Sequence, residues 1–231
     1  MTVSVQSVID RVQTVLQDTT GVRWPVTSEL VLWVNDAQRE IALLKPDASA
    51  ANETVTLVDG TKQSIPTGGN RLLQVVRNMS GAGADATGAR SVRLVDRAVL
   101  DAQTPDWHDP TVGNNAAHGT VVKHYLYDES NPRNFYVYPG VSGAAYLEII
   151  YSANPATVAD GDNLSVLDIF ANAVMNYVLY MAYMKDAEFA GNSQRASQHW
   201  QLFSTSVAGK GQIDAITNPN MERRPSAPAM V

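Results

Sequence analysis

Asn52-Glu53-Thr54-Val55-Thr56-Leu57-Val58-Asp59-Gly60-Thr61-Lys62-Gln63-Ser64-Ile65 is where the chain changes its hydrophobic period. Before it, apolar residues recur every three to four positions. From Asn52 onward they alternate, the pattern of strands with one buried face. Thr54–Val58 and Thr61–Ile65 flank Asp59-Gly60, a dipeptide suited to a tight primed turn, and the stretch reads as a β-hairpin. The same period continues through Arg71–Met79, Thr120–Tyr127, Asn134–Tyr138 and Ala145–Tyr151, with a turn over Asp128–Arg133. Ser91–Leu100 fits a strand or a short helix. Ser80–Ala89 is rich in glycine and alanine and is expected to be a mobile loop. Short strands of this spacing imply a small antiparallel sandwich or barrel over residues 52–154.

On either side the helical period rules. Val5, Val8, Ile9, Val12, Val15 and Leu16 make one helix, with Thr2 or Ser4 as its cap and Gly21 beyond its end. Pro25 and Thr27 open a second, carrying Leu30, Trp33, Val34, Ala37, Ile41 and Leu44, and Pro46 stops it. After Pro155, Ser165 can cap a helix to about Asp186, and Gly191-Asn192 separates it from another over Ser193–Val207. Val166–Met184 is about as long as a bilayer span. Asp168, Asn172 and Asn176 put a polar stripe along it, which favours a buried amphipathic helix over a membrane segment.

The fold expected is therefore α+β. A four-helix bundle is formed by the N- and C-terminal helix pairs (residues 1–51 and 155–210), with an inserted antiparallel β domain (52–154) and an extended C-terminal arm (211–231). Trp33 and Phe170 are expected to be buried by the bundle. The arm contains Gly211, Pro219, Pro225 and Pro228, which disfavour a long helix or central strand. Ile213, Ile216 and Met221 would be costly to leave exposed together, and Arg223-Arg224 adds a local positive charge. These five residues are the candidate partner interface, suited to docking along another subunit.

The 231 residues suffice to bury a core without staples. Zero cysteines exclude disulfides, zinc–thiolate sites and thiol nucleophiles. A net charge of −6 makes the chain a poor general binder of nucleic acid. The N-terminus lacks a basic stretch leading into an apolar run, so a secretion signal is not expected.

Chemistry-bearing residues are sparse. Asp101, Asp106, His108 and Asp109 surround Trp107, a set that could hold a divalent ion or serve acid–base chemistry. The same residues are ordinary turn formers around a core anchor, and that structural reading is preferred. His118, His124 and His199 lack metal-ligand spacing. Gly81 and Gly83 follow a strand, but no helix follows them to complete a phosphate loop. Tyr125, Tyr127, Phe135, Tyr136 and Tyr138 alternate along two strands and could stack sugars or bases, although core packing is the commoner use. Tyr177, Tyr180, Met181 and Met184 suit helix–helix packing. No catalytic constellation emerges, and neither an enzyme nor a cofactor or metal is expected.

Several stretches, in order, carry a resemblance. They are Trp24-Pro25 with Leu30, Trp33 and Asn35-Asp36-Ala37-Gln38, Leu100-Asp101 to Pro105-Asp106-Trp107, and Phe135–Pro139 followed by Ile150-Tyr151-Ser152 and Pro155. The last is Val178–Asn192, followed by Arg195-Ala196 and His199-Trp200. Across residues 5–210 the chain resembles the head-to-tail adaptors of tailed phages, the head–tail connector or tail-tubular-protein-A-like group. The resemblance implies a virion structural protein in the neck between capsid and tail, assembled in the host cytoplasm. It implies a ring of about twelve copies under the portal protein, binding a tail tube, nozzle or terminator protein and lining the conduit for DNA. Residues 211–231 lie outside it. The competing readings are a virion surface or carbohydrate-binding module built on the aromatic β domain, and an enzyme using the Asp101–Asp109 loop.

Overall fold

A computed structural model describes residues 2–111, 117–189 and 191–217. Along the chain the elements are α1 (Val5–Leu16), α2 (Val31–Leu44), β1 (Ala50–Thr56), β2 (Gly60–Ser64), β3 (Gly69–Met79), β4 (Gly88–Ser91), β5 (Arg93–Leu94), α3 (Arg97–Gln103), β6 (His124–Tyr127), β7 (Asn134–Val141), β8 (Tyr146–Ala153), α4 (Ala171–Lys185) and α5 (Asn192–Thr217). The class is α+β. The chain divides into a helical unit, made of the residues up to Lys45 and those from Pro155 onward, and a β unit, Pro46–Asn154. The helical stretch ends at Lys45 rather than at residue 51 because Ala50 already pairs with Ser152.

In the helical unit, α1 begins at Ser4, whose hydroxyl accepts the Ser7 N–H at 3.2 Å. It buries Val5, Val8, Ile9 and Val12, the stripe its spacing dictates. The link to α2 folds over Asp18, whose carboxylate accepts the backbone N–H groups of Val22, Arg23 and Trp24. These donors, Trp24 above all, hold the carboxyl below its ordinary pKa. A wide π turn over Val26–Leu30 leads into α2. Helix α4 is the hub and packs against α1, α2 and α5. Phe170, in the 3₁₀ turn before α4, is buried as expected, whereas Trp33 is only half-buried. Leu30 at the end of the π turn and Val34, Ala37 and Ile41 on α2 are buried in its place.

The last helix departs most from expectation. It continues past Val207 through Gly209 and Gly211 to Thr217, so residues 211–217 are helical and do not belong to an extended arm. Two glycines cost a helix roughly 1 kcal/mol each relative to alanine. Asp214 ties this end of the helix down by pairing with Lys210 one turn earlier and with Lys45 at the end of α2, the latter at 3.0 Å. Those bonds also hold the Asp214 carboxyl below its ordinary pKa, the Lys210 contact most strongly.

The β unit is two four-stranded sheets, ordered β1-β8-β3-β4 and β2-β7-β6-β5. All pairs are antiparallel except β5–β6. Leu72, Val75, Leu147, Ile149 and Tyr151 from the first sheet share one core with Tyr125, Phe135, Val137 and Val141 from the second. The expected hairpin is absent: β1 pairs with β8 and β2 with β7, so Asp59-Gly60 carries the chain from one sheet to the other. Gly60 has φ +105, as a turn glycine allows, but the closing bonds come from the buried Gln63 amide. It accepts from the Val58 N–H (2.9 Å) and donates to the Val58 and Gly60 carbonyls (2.7 and 3.3 Å). Residues 80–87 connect β3 to β4, and the connection is closed at its base. The Ser80 N–H donates to the Thr87 carbonyl, and the Ser80 hydroxyl accepts from the Thr87 N–H.

Candidate functional site

The acidic loop is assembled on the outer face of the second sheet. Helix α3 starts at Asp96, which caps the Ala98 N–H, and delivers Leu100 and the loop after it onto Leu126 and Tyr138. Trp107 is almost completely enclosed there and edges against Tyr136 and Tyr138. Its indole N–H donates to Asp101 at 2.8 Å, the main reason that carboxyl sits below its ordinary pKa. Arg97 pairs with the other Asp101 oxygen at 3.3 Å. His108 stacks on Trp107 at 3.6 Å between ring centres, and its Nδ1 lies 2.7 Å from the Thr61 hydroxyl. Burial holds this imidazole below its ordinary pKa. Asp109 accepts from the hydroxyl and N–H of Thr111. Asp101 and Asp109 thus accept bonds from within the loop and its helix, and His108 ties the loop to Thr61 of the sheet.

The remaining candidates are likewise packing groups. Tyr125 and Phe135 lie in the core between the sheets and Tyr138 lies under the Trp107 cap. Tyr127 and Tyr136 instead line an open groove of about 500 Å³ with Leu94, Arg97 and Leu126, so only two of the five alternating aromatics face a space a ligand could enter. His118 sits over Gly140, where a Cβ would come within 2.4 Å of its ring. His124 stacks on Tyr138. His199 meets the Asn176 amide at 2.9 Å and stacks on Tyr183. Tyr177, Tyr180, Trp200 and Phe203 form one aromatic cluster between α4 and α5. Among the described residues no three His, Asp or Glu side chains converge as metal ligands, and no helix is long and apolar enough to cross a membrane.

What the helical unit does present is apolar surface. Leu43, Ile169, Phe189, Leu202 and Ile216 are each more than half exposed. A groove of about 380 Å³ runs between the start of α4 and the second half of α5, lined by Ile169, Ala173, Thr205, Gly209 and Ile213. Gly209 faces open space, so the groove owes part of its depth to the missing side chain. Ile213 is thus placed beside Ile169, and Ile216 projects from the last turn of α5 at 76% exposure. Met221, Arg223 and Arg224 lie outside the described residues. At the end of α4, Arg23 pairs with Asp186 at 2.7 Å and lies over the rings of Trp24 and Phe189. Lys185 pairs with Glu29 at 2.6 Å beside it.

Sequence reasoning missed the residues that hold each unit in register. Asn35 and Gln38, three apart on the apolar stripe of α2, are buried amides. Asn35 donates to the carbonyls of Val31 and Val158 and accepts from the Val158 N–H, at 2.8–3.0 Å. Gln38 accepts from Ser165 and Val166. Together they clamp the segment that re-enters the helical unit. Asn78 does the same between the sheets, bonding Arg90 and both backbone groups of Val122. The available signal was polarity at a core-facing position.

No curated protein matches the chain in sequence. A family model described as SU10 adaptor protein matches residues 3–225, nearly the whole chain. This agrees with the phage-adaptor resemblance without selecting a narrower subgroup. The chain belongs to the SU10 adaptor protein family.

Proposed function

We propose that this phage structural adaptor is the head-to-tail adaptor of its virion, acting as a ring of about twelve copies. The ring sits in the neck beneath the portal protein and receives the tail tube, nozzle or terminator protein on its other side. DNA passes through it without sequence-specific binding. In this reading the four long helices form one bundle carrying the inserted β domain, and the role is structural rather than catalytic. The observation that carries it is the apolar surface of the helical unit. Side chains such as Leu43, Phe189 and Ile216, each more than half exposed, are of the kind a large closed interface would cover. The acidic balance of −6 per chain supports a conduit that does not hold DNA, because like charge opposes contact.

The proposed grip on the portal or on an adjacent copy is the end of the chain: Ile213 and Ile216 on the last turns of α5, then Met221, Arg223 and Arg224. Deleting residues 218–231 tests this while leaving α5 intact. The truncated protein is expected to keep its far-ultraviolet circular dichroism and to lose co-sedimentation with portal. Unchanged co-sedimentation overturns the assignment.

A further inference from the structure

The β unit contains one sheet edge without the usual protection. Edge strands are commonly kept from pairing by proline, lysine, bulges or shortness. The second sheet follows that rule: β5 has two residues, and the register of β2 breaks between Gly60 and Lys62. Strand β1 does not. It has seven residues, an unbroken register against β8 and neither proline nor lysine, and Ala50, Asn52, Glu53 and Thr56 are exposed. The Leu57 N–H donates to the Ala145 carbonyl, which fixes the alternation of the ladder. Val55, Glu53 and Ala51 therefore face β8, and the backbone groups of Asn52 and Thr54 face outward.

At the far end of the same sheet lies β4, short and with a register shift against β3 between Arg77 and Met79, but exposed at all four residues and, among the described residues, with no strand beyond it. The four strands alternate in direction, so β1 and β4 run opposite to each other. Identical sheets set side by side in one orientation consequently meet β1 to β4 as an antiparallel pair. That is a heterologous contact, the kind that closes rings. The charges agree as well: the one ionisable residue of β1 is Glu53, whose carboxylate also accepts the Tyr151 hydroxyl at 2.8 Å, and that of β4 is Arg90.

We propose that β1 of one copy pairs with β4 of the next, joining the first sheets of neighbouring subunits into a continuous belt. The inference rests on the ring reading above and adds to it a specific surface and polarity. Four residues of strand pairing bury too little to hold a ring alone. The edge therefore sets the orientation of neighbours while the exposed helical surface supplies most of the adhesion.

The absence of cysteine makes a clean test available. Thr54→Cys and Ala89→Cys are introduced together and singly, each protein is assembled on portal, and a short bis-maleimide is added. Head-to-tail pairing gives a ladder of dimers, trimers and higher species on a denaturing gel for the double variant and no ladder for either single variant. A second variant, Thr54→Pro, removes one outward N–H without touching the β8 ladder. It is expected to keep its circular dichroism and to leave fewer copies on each portal. Full rings without a ladder, and with Thr54→Pro at wild-type occupancy, overturn the edge pairing and leave the ring reading standing. Wild-type protein that forms no ring on portal overturns the ring reading, and this inference with it.

Discussion

Replacing Asn35 with alanine removes the clamp that seats the returning chain on α2, and its cost follows from the bonds. The side chain is 4% exposed, and its amide satisfies both backbone groups of Val158, itself 7% exposed. Asn35→Ala leaves that N–H and C=O buried without partners, at about 1–3 kcal/mol each. The better helix propensity of alanine returns about 0.5 kcal/mol. The net expectation is about 2–5 kcal/mol, a large part of the 5–15 kcal/mol typical of a folded domain. In a urea titration followed at 222 nm, the midpoint of the helical unit should fall by about 1–2 M with the slope unchanged. Asn35→Leu refills the space without restoring a bond, and it should lose a comparable amount. A midpoint within about 0.3 M of wild type for Asn35→Ala, or full stability for Asn35→Leu, would refute the claim that these hydrogen bonds position the segment.

Trp107→Ala should destabilise the β unit by about 3–5 kcal/mol, whereas Asp106→Ala should stay within about 0.5 kcal/mol; urea titration of both separates a structural loop from a functional one. Lys45→Met removes the cross-helix partner of Asp214, and amide exchange over residues 210–217 should accelerate while that of α4 stays constant. Thermal stability should fall with pH in two stages. His108, His124 and His199 are held below 6.5, chiefly by burial. Folding favours their neutral forms, so that stability is complete above pH 6.5 and erodes below it. Asp18, Asp101, Asp109, Asp128, Glu148 and Asp214 are held below their ordinary values by hydrogen-bond donors. Their contribution is present above about pH 4 and is lost as pH falls through the lowered native values. A melting temperature that stays flat or rises from pH 7 to pH 5 contradicts the first stage.

The elements were largely legible because period is a local property. Val5 to Val12, Val34 to Ile41 and Leu147 to Tyr151 announce their faces in sequence and bury them in the fold. Pairing was not legible. Asp59-Gly60 has the chemistry of a hairpin turn, yet β1 finds β8 some 90–102 residues away and β2 finds β7 some 70–81 away, and only the tertiary core selects those partners. The end of α5 misled for a related reason: Gly209 and Gly211 lower local helix propensity, while the Lys45 contact that ties it down comes from a distant helix. At the Asp101–Asp109 loop the residue types suggested chemistry, and Trp107, an unmistakable anchor, correctly indicated packing. The apolar surface of the helical unit was visible only as an excess of large side chains, because a stripe pattern cannot say which of two faces a neighbour will cover.

In the proposed function many copies of this chain form a closed ring on the portal. Negative-stain imaging of the purified protein mixed with portal tests it most directly. An added annular layer of about twelve-fold symmetry, coaxial with the portal and present with the full chain, is expected. Bare portals beside a monodisperse monomer, at concentrations well above those of assembly, would contradict it.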